Sequence, residues 1–299
     1  MDEREWLVER FEEQRAHLKA VAYRMLGSLT EADDAVQDAW LRLNHSGGNG
    51  VGNLRAWLTT IVARVCLNML RSRNVRREEP LDVHVPDPVI SLEDRVDPEQ
   101  QVLLADSVGL ALQVVLEMLA PDERLAFVLH DMFDIPFHEI AAIVGCSTEA
   151  ARQRASRARR RVRVSAPAPD AEISAQRRVV DAFIAAARGG DLNALVAVLD
   201  PDVVVRSDGG LAQPGATRVV RGAAAVARAA LSGARDRASV VMRPALVNGA
   251  AGVILSEGGQ PLAVWGFTIA RGKLVEIDAI SDPERLRGLG IAPADRVPI

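Results

Sequence analysis

Apolar side chains recur at steps of three and four residues through the first part of the chain. Trp6, Phe11, Leu18, Val21 and Met25 keep to this spacing, the 3.6-residue period of an amphipathic helix. Gly27 stops that helix. Thr30 is placed to cap the next one, and Glu31, Asp33 and Asp34 put negative charge in its first turn, where the helix dipole favours it. The second helix is expected to end at about Leu43, before a Gly-rich loop over 44–50. A third helix is expected from about Leu54 to Arg73. Pro80, Pro86, Pro88 and Pro98 then mark an extended linker. Helical periodicity resumes from about Pro98 to Val164, and Ala166-Pro167-Ala168-Pro169 forms a second boundary.

Beyond that boundary the period changes. Residues 172–199 predict two helices broken at Gly189-Gly190. Strand-like runs follow at 203–205, 238–247, 251–257, 261–270 and 273–280, with glycine at most junctions. The expected architecture is multi-domain: two all-α domains followed by an α+β domain.

Charge adds what periodicity cannot. The net charge of −4 by itself does not suggest nucleic acid, but its distribution is uneven. Residues 1–38 hold ten acids and five bases, residues 59–77 five arginines and no acid, and residues 150–163 seven arginines and no acid. An acidic protein-docking face beside basic nucleic-acid faces fits this pattern, as do ordinary solvated helix faces. Cys66 and Cys146 lie far apart and in no metal or redox spacing, so reduced thiols, no metal and no cofactor are expected. No apolar run reaches membrane-spanning length, and a soluble, cytoplasmic protein is expected.

The sharpest local signal lies between Phe137 and Ala155. Ala141 and Ala151 are small where two helices would cross, Gly145 permits the tight turn between them, and Ser147 caps the second. This is a helix-turn-helix whose second helix enters the major groove. Ser147, Thr148, Glu149, Arg152, Gln153, Ser156 and Arg157 lie at its reading end and exposed face. Arg and Gln pair bidentately with base edges, while Arg159, Arg160, Arg161 and Arg163 suit phosphates. Arg64, Asn68 and Arg71 lie at i, i+4 and i+7, one helical stripe that can follow a single strand.

These residues resemble a known family. Leu119 to Arg124, Phe127 to Phe133 and the stretch 136–163 are similar to domain 4 of extracytoplasmic-function (ECF) sigma factors, which binds the minus-35 promoter element. Tyr23 to Gly27 and Asp33 to Leu43 resemble the sigma domain 2 helix that docks on the polymerase clamp; Leu54 to Leu58 through Arg73 resembles its promoter-melting helix. The resemblance implies core RNA polymerase and promoter DNA as partners, with no membrane. Asp33, Asp34, Gln37 and Asp38 form the polymerase face, which suits a basic partner. Trp40 is either core or contact. The loop 46–52 either closes over a flipped base or is a plain connector.

Val179 to Phe183, Gly189 to Leu195 and Leu199 to Gly210 resemble the SnoaL-like cone, and with them residues 172–299, a fusion found in a subgroup of these factors. The expected division is 1–78 sigma domain 2, 79–98 linker, 99–165 sigma domain 4 and 170–299 the SnoaL-like domain. The subgroup's motifs survive here in altered form: Asp208-Gly209-Gly210, then Asp282-Pro283-Glu284-Arg285-Leu286, and in the linker Val83-His84-Val85-Pro86-Asp87-Pro88. By resemblance, Asp208, Gly209, Gly210, Asp282, Pro283, Arg285 and Leu286 carry regulation in cis, as inhibitor or activator. No catalytic residue is expected. All five histidines and Tyr23 precede the domain, leaving Asp208 and Asp278 as the acid/base candidates, with a turn or surface role favoured for each. Trp265 and Phe267 share one strand face and line either a core or a pocket. A domain that binds or converts a small apolar metabolite is the alternative reading, and an ordinary helix-turn-helix repressor a third.

Overall fold

The computed structural model describes residues 3–46, 53–76, 84–92, 109–167, 169–210, 216–235 and 239–291. They fall into two compact units. Residues 1–78, 101–106 and 113–166 form one; residues 79–100, 107–112 and 167–299 form the other. The loop at 46–52 lies largely outside the described residues, as do Arg77 and Val83.

The first unit is helical. α1 (Glu3–Leu26), α2 (Leu29–Ser46) and α3 (Leu54–Arg76) pack through Phe11, Leu18, Val21, Met25, Leu43 and Leu58, each almost fully buried. Gly27 leaves α1 in the left-handed region at φ 73°, which a β-carbon would oppose. Ser28, not Thr30, sits at the head of α2: its hydroxyl accepts from the Glu31 amide at 3.5 Å. The left-handed glycine turns the chain early enough for α2 to start at Leu29, which puts Thr30 inside the first turn. α4 (Leu110–Glu117), which belongs to this unit from Gln113 onward, α5 (Pro121–Phe127, continued by a π-helical turn to Met132), α6 (Phe137–Val144) and α7 (Thr148–Ser165) complete its helices.

The last carbonyls of α1 are met by residues from distant helices. Gln113 donates to Tyr23 and Arg24 oxygens at 3.1 and 3.3 Å, Arg124 to Met25 at 2.8 Å, and Arg73 to Leu26 at 3.5 Å. A helix end would otherwise leave these acceptors bare in the interior. Burial pulls the Arg124 guanidinium down to about 10.

The second unit is a sheet with helices. α8 (Ile173–Gly189) and α9 (Leu192–Val198) break at Gly189-Gly190, as their glycines predict. The sheet has seven described strands in the order β1-β4-β5-β6-β7-β2-β3. β1 (Ile90–Ser91) comes from the proline linker. β2 (Leu199–Asp208), β3 (Arg218–Arg221), β4 (Val241–Val247), β5 (Ala250–Glu257), β6 (Gln260–Ala270) and β7 (Lys273–Ile280) follow. All neighbours pair antiparallel except β2 with β7. α10 (Ala223–Arg235) and α11 (Pro283–Gly288) are the remaining helices. Phe183, Val203, Val226, Leu255 and Phe267 centre the core. Helical sigma regions followed by a mixed sheet with helices are the expected fold class.

Candidate nucleic-acid interface and linker latch

The helix-turn-helix is built as its spacing requires. Gly145 adopts φ 77° and its amide returns to the Ala141 carbonyl at 2.9 Å. Ser147 caps α7 by accepting from the Ala150 amide at 3.2 Å. Ala151, Ala155 and Ala158 are fully buried, so α7 packs closely and turns its other side outward. Glu149, Arg152, Gln153, Ser156, Arg157 and Arg160 all lie on that exposed side, with Thr148 half-buried at the start.

The arginines of α7 are not equivalent. Arg157 and Arg161 both bind Glu123, at 2.8 and 3.2 Å, and Arg159 binds Asp131 at 2.6 Å. Arg154 reaches Asp122 at 3.5 Å. Arg152 lies 3.6 Å from Glu149 and over the Phe137 ring. Arg160 and Arg163 make no ion pair among the described residues.

Arg64, Asn68 and Arg71 share one exposed face of α3, as their spacing predicts. Within this unit Arg71 pairs with Asp122 at 2.8 Å, and Arg64 donates to the Ala142 carbonyl at 3.4 Å. Both ends of the stripe are therefore engaged by α5 and α6. On α2, Ala32, Ala35, Val36 and Ala39 are buried, while Asp33, Asp34, Gln37 and Asp38 are exposed. Asp33 pairs with Lys19 at 2.9 Å and Asp38 lies 4.0 Å from Arg42. Trp40 is half-buried against Phe11, ring centroids 5.1 Å apart, so it is mainly a packing residue.

The second unit fastens the linker to the sheet. Residues Val85 to Ile90 are buried. Ile90 and Ser91 pair with Val247 and Leu246, adding a strand to the sheet edge. Asn248 clamps Val89 from both sides: its amide donates to the Val89 oxygen and its Oδ1 accepts from the Val89 amide, both at 2.8 Å. Arg285 is the centre of the latch. It binds Asp87 and Asp208 at 2.6 and 2.8 Å and also donates to the Val85 carbonyl.

Asp208 accepts in addition from the Val85 amide at 3.1 Å and the Gly210 amide at 3.0 Å, with His84 3.4 Å away. Burial raises its pKa, but these partners and Arg285 outweigh burial and hold it at about 2. Asp282 caps α11, accepting from the Glu284 and Arg285 amides at 2.8 and 3.3 Å, and Pro283 occupies the first turn. Leu286 anchors the helix in the core. Gly210, at φ 63°, lies so close that a β-carbon there would collide with the Asp282 carboxylate. Gly209 donates to Thr217 Oγ1 at 3.1 Å.

Two expectations fail here. Asp208 and Asp278 are not turn or surface residues, being 3% and 2% exposed. Strand pairing places both inside, and each finds an arginine. Arg206 binds Asp278 at 3.0 Å and Glu276 at 3.1 Å, and burial lifts Asp278 to about 6 in spite of Arg206. Trp265 and Phe267 divide the alternatives between them. Phe267 is core, whereas Trp265 is half-buried and lines a cavity of about 900 Å³.

Comparison with known proteins now becomes decisive. Residues 10–76 match the Sigma-70 region 2 family and residues 109–162 the Sigma-70 region 4 family. The chain is 39% identical to the ECF RNA polymerase sigma factor SigJ of Mycobacterium tuberculosis, over 94% of this chain and 93% of that one. The chain belongs to the ECF RNA polymerase sigma factors. A probable ECF sigma factor of the same species, SigI, is 40% identical over 69% of this sigma factor and 71% of its own length. The crystal structure of M. tuberculosis SigJ superposes with a TM-score of 0.75, covering 95% of this chain and 99% of that chain at 35% identity. The C-terminal sheet unit is thus part of a whole-chain architecture shared with SigJ, and core RNA polymerase and promoter DNA are the partners of this family. No described helix is long and apolar enough to cross a membrane.

Sequence reasoning missed Asn248, the Arg206 network and the carbonyl ligands Gln113 and Arg124. Asn248-Gly249 was a readable hairpin signal. The others carry none, because a single buried Arg or Gln has no local pattern.

Proposed function

We propose that this sigma factor directs core polymerase to its promoters through three surfaces and is restrained by a fourth. Ser147, Thr148, Glu149, Arg152, Gln153, Ser156, Arg157 and Arg160 read and hold the minus-35 element. Arg64, Asn68 and Arg71 hold the melted minus-10 strand. Asp33, Asp34, Gln37 and Asp38 dock on polymerase. The residues around Asp208 and Arg285 regulate in cis, without catalysis, in the cytoplasm where polymerase works.

The observation that carries the regulatory reading is the latch. By their names the minus-10 and minus-35 elements lie about 25 base pairs apart, roughly 85 Å of duplex at about 3.4 Å per step. The chain between the two sigma regions must help to bridge that span. Residues 84–92 cannot contribute reach while Arg285, Asp208 and Asn248 hold them on the sheet. The stripe at Arg64 and Arg71 likewise needs release from Ala142 and Asp122 before it meets DNA.

Run-off transcription with core polymerase tests this at equal folded concentration. Removal of the chain after Ile280 deletes Arg285 and is expected to raise yield. Removal of 170–299 is expected to lower it, because the whole unit also supports domain spacing. Yields equal to the full chain in both cases would overturn cis regulation and leave promoter recognition untouched.

A further inference from the structure

The cavity beside Trp265 has a composition that specifies its occupant. Its deep wall is apolar: Phe183, Val226, Ala263 and Ile277 are buried core residues that also line it. Its mouth reaches the surface at Arg188, Arg218 and Val241, which are exposed. About 900 Å³ is the size range of sites that enclose a small organic molecule. Among the described lining residues the only ionisable side chains are Arg188 and Arg218. Arg188 donates to the Val240 carbonyl at 3.4 Å, and Arg218 has no ion pair among the described residues. Among the described residues neither guanidinium has a carboxylate within ion-pair distance, which gives the mouth positive charge over an apolar interior. Arginine in such a place suits a planar carboxylate bidentately. The hydroxyls of Ser207 and Ser281 add neutral polar partners.

The cavity and the linker latch share strand β2, and β7 beside it lines the cavity. In a strand, neighbouring side chains face opposite sides. On β2, Val205 and Ser207 line the cavity while Asp208 holds the linker. On β7, Ile277 and Ala279 line it while Glu276 and Asp278 bind Arg206. Ser281 lines the cavity and its amide donates to the Asp208 carbonyl at 2.8 Å. A molecule pressing on Ser207 or Ser281 moves backbone that is directly bonded to the latch.

We propose that this cavity is a sensor site for an amphiphilic carboxylate, an apolar body with one anionic group held by Arg218 and Arg188, whose occupancy is read by the linker at Val85 and Val89. The binding step stands alone; the readout rests on the cis-regulatory reading above. The test uses the full-length protein and three probes below their micelle concentrations: decanoate, 1-decanol and decyltrimethylammonium. Titration calorimetry should show decanoate binding roughly tenfold or more tightly than decanol, the factor expected for a charge-assisted hydrogen bond, and the cation weakest. The double variant R188Q/R218Q should lose that preference yet keep its affinity for decanol. Ala230→Phe, which fills the cavity, should abolish binding of both. Hydrogen exchange at the Val85 and Val89 amides should change on adding decanoate. Equal affinity for all three probes, or undiminished decanoate binding by Ala230→Phe, would overturn the site. Binding with the predicted preference but unchanged linker exchange would overturn the coupling alone, and with it the sensor role.

Discussion

The arginines of the recognition helix and Arg285 at the linker latch sit in opposite settings. Arg157 and Arg161 hold Glu123 with side chains 57% and 60% exposed. Arg285 holds Asp87 and Asp208 with all three side chains at or below 19%. Glu123 itself is only 12% exposed, but its two arginines face solvent, so either can exchange it for another anion, a DNA phosphate included, while the other stays as its partner. A buried cluster has lost its water and cannot be opened from one side without stranding a charge. The same residue type is therefore open to exchange on the recognition helix and a fastener at the latch. Arg206, between Glu276 and Asp278, repeats the second pattern.

Removing Arg285 should break this contrast most forcibly. Arg285→Ala leaves Asp87 and Asp208 facing each other without their cation, a change that costs roughly 3–5 kcal/mol in buried settings. The linker should detach before the sheet unfolds, since Asn248 and the short β1 pairing remain its other main ties. Hydrogen exchange at the Val85 and Val89 amides should rise to the rate of open chain, and run-off yield should rise as for the tail truncation. Protection that persists in the variant would mean the latch is held by strand pairing, not by charge.

The next test asks whether the exposed set reads sequence. Arg152→Ala and Gln153→Ala should each cost about 1–3 kcal/mol at particular minus-35 bases. Binding to a series of single-base promoter variants measures this. A loss spread evenly over all bases would place α7 on the backbone instead of in the groove.

How legible this contrast was in the sequence depends on the range of the interaction. The turn at Gly145, the Ser147 cap and the buried alanines of α7 follow from local spacing, and the structure has each where the spacing puts it. Local rules also found the break at Gly189-Gly190 and every strand from β4 to β7. They missed β3 and the strand at Ile90, which are short and depend on a partner strand, and also α10, a 13-residue Ala-rich helix that its periodicity and composition make locally legible. Asp208 looked like a turn residue because Gly209 and Gly210 follow it. Its burial depends on Val85 and Arg285, 123 and 77 residues away, which no local pattern can announce. The altered linker motif kept the one acid, Asp87, that Arg285 needs.

A smaller effect is expected on the acidic face of α2. Asp34→Arg or Asp38→Arg reverses charge at exposed positions and should leave folding stability within about 0.5 kcal/mol. Capture by core polymerase should nonetheless fall, steeply at low salt and less at high salt, because screening weakens charge pairing across an interface. Undiminished capture would move the docking face off this helix.

The smallest effect separates two arginines one helical turn apart. Arg160 has no ion pair among the described residues, whereas Arg157 is bound to Glu123 at 2.8 Å. If Arg160 meets a phosphate, Arg160→Ala removes one counterion-releasing contact. The slope of log affinity against log salt should then shrink by about 0.9, with no change in base preference. Arg157 must give up Glu123 to reach DNA, and Glu123 retains Arg161. Arg157→Ala should therefore change the slope by less than Arg160→Ala, and leave thermal stability nearly intact because the lost pair is half exposed. Promoter binding measured across a salt series gives both slopes. Equal slopes for the two variants would show that exposed pairing does not grade these arginines, and the contrast would then lie only between the recognition helix and the Arg285 latch, not within the helix.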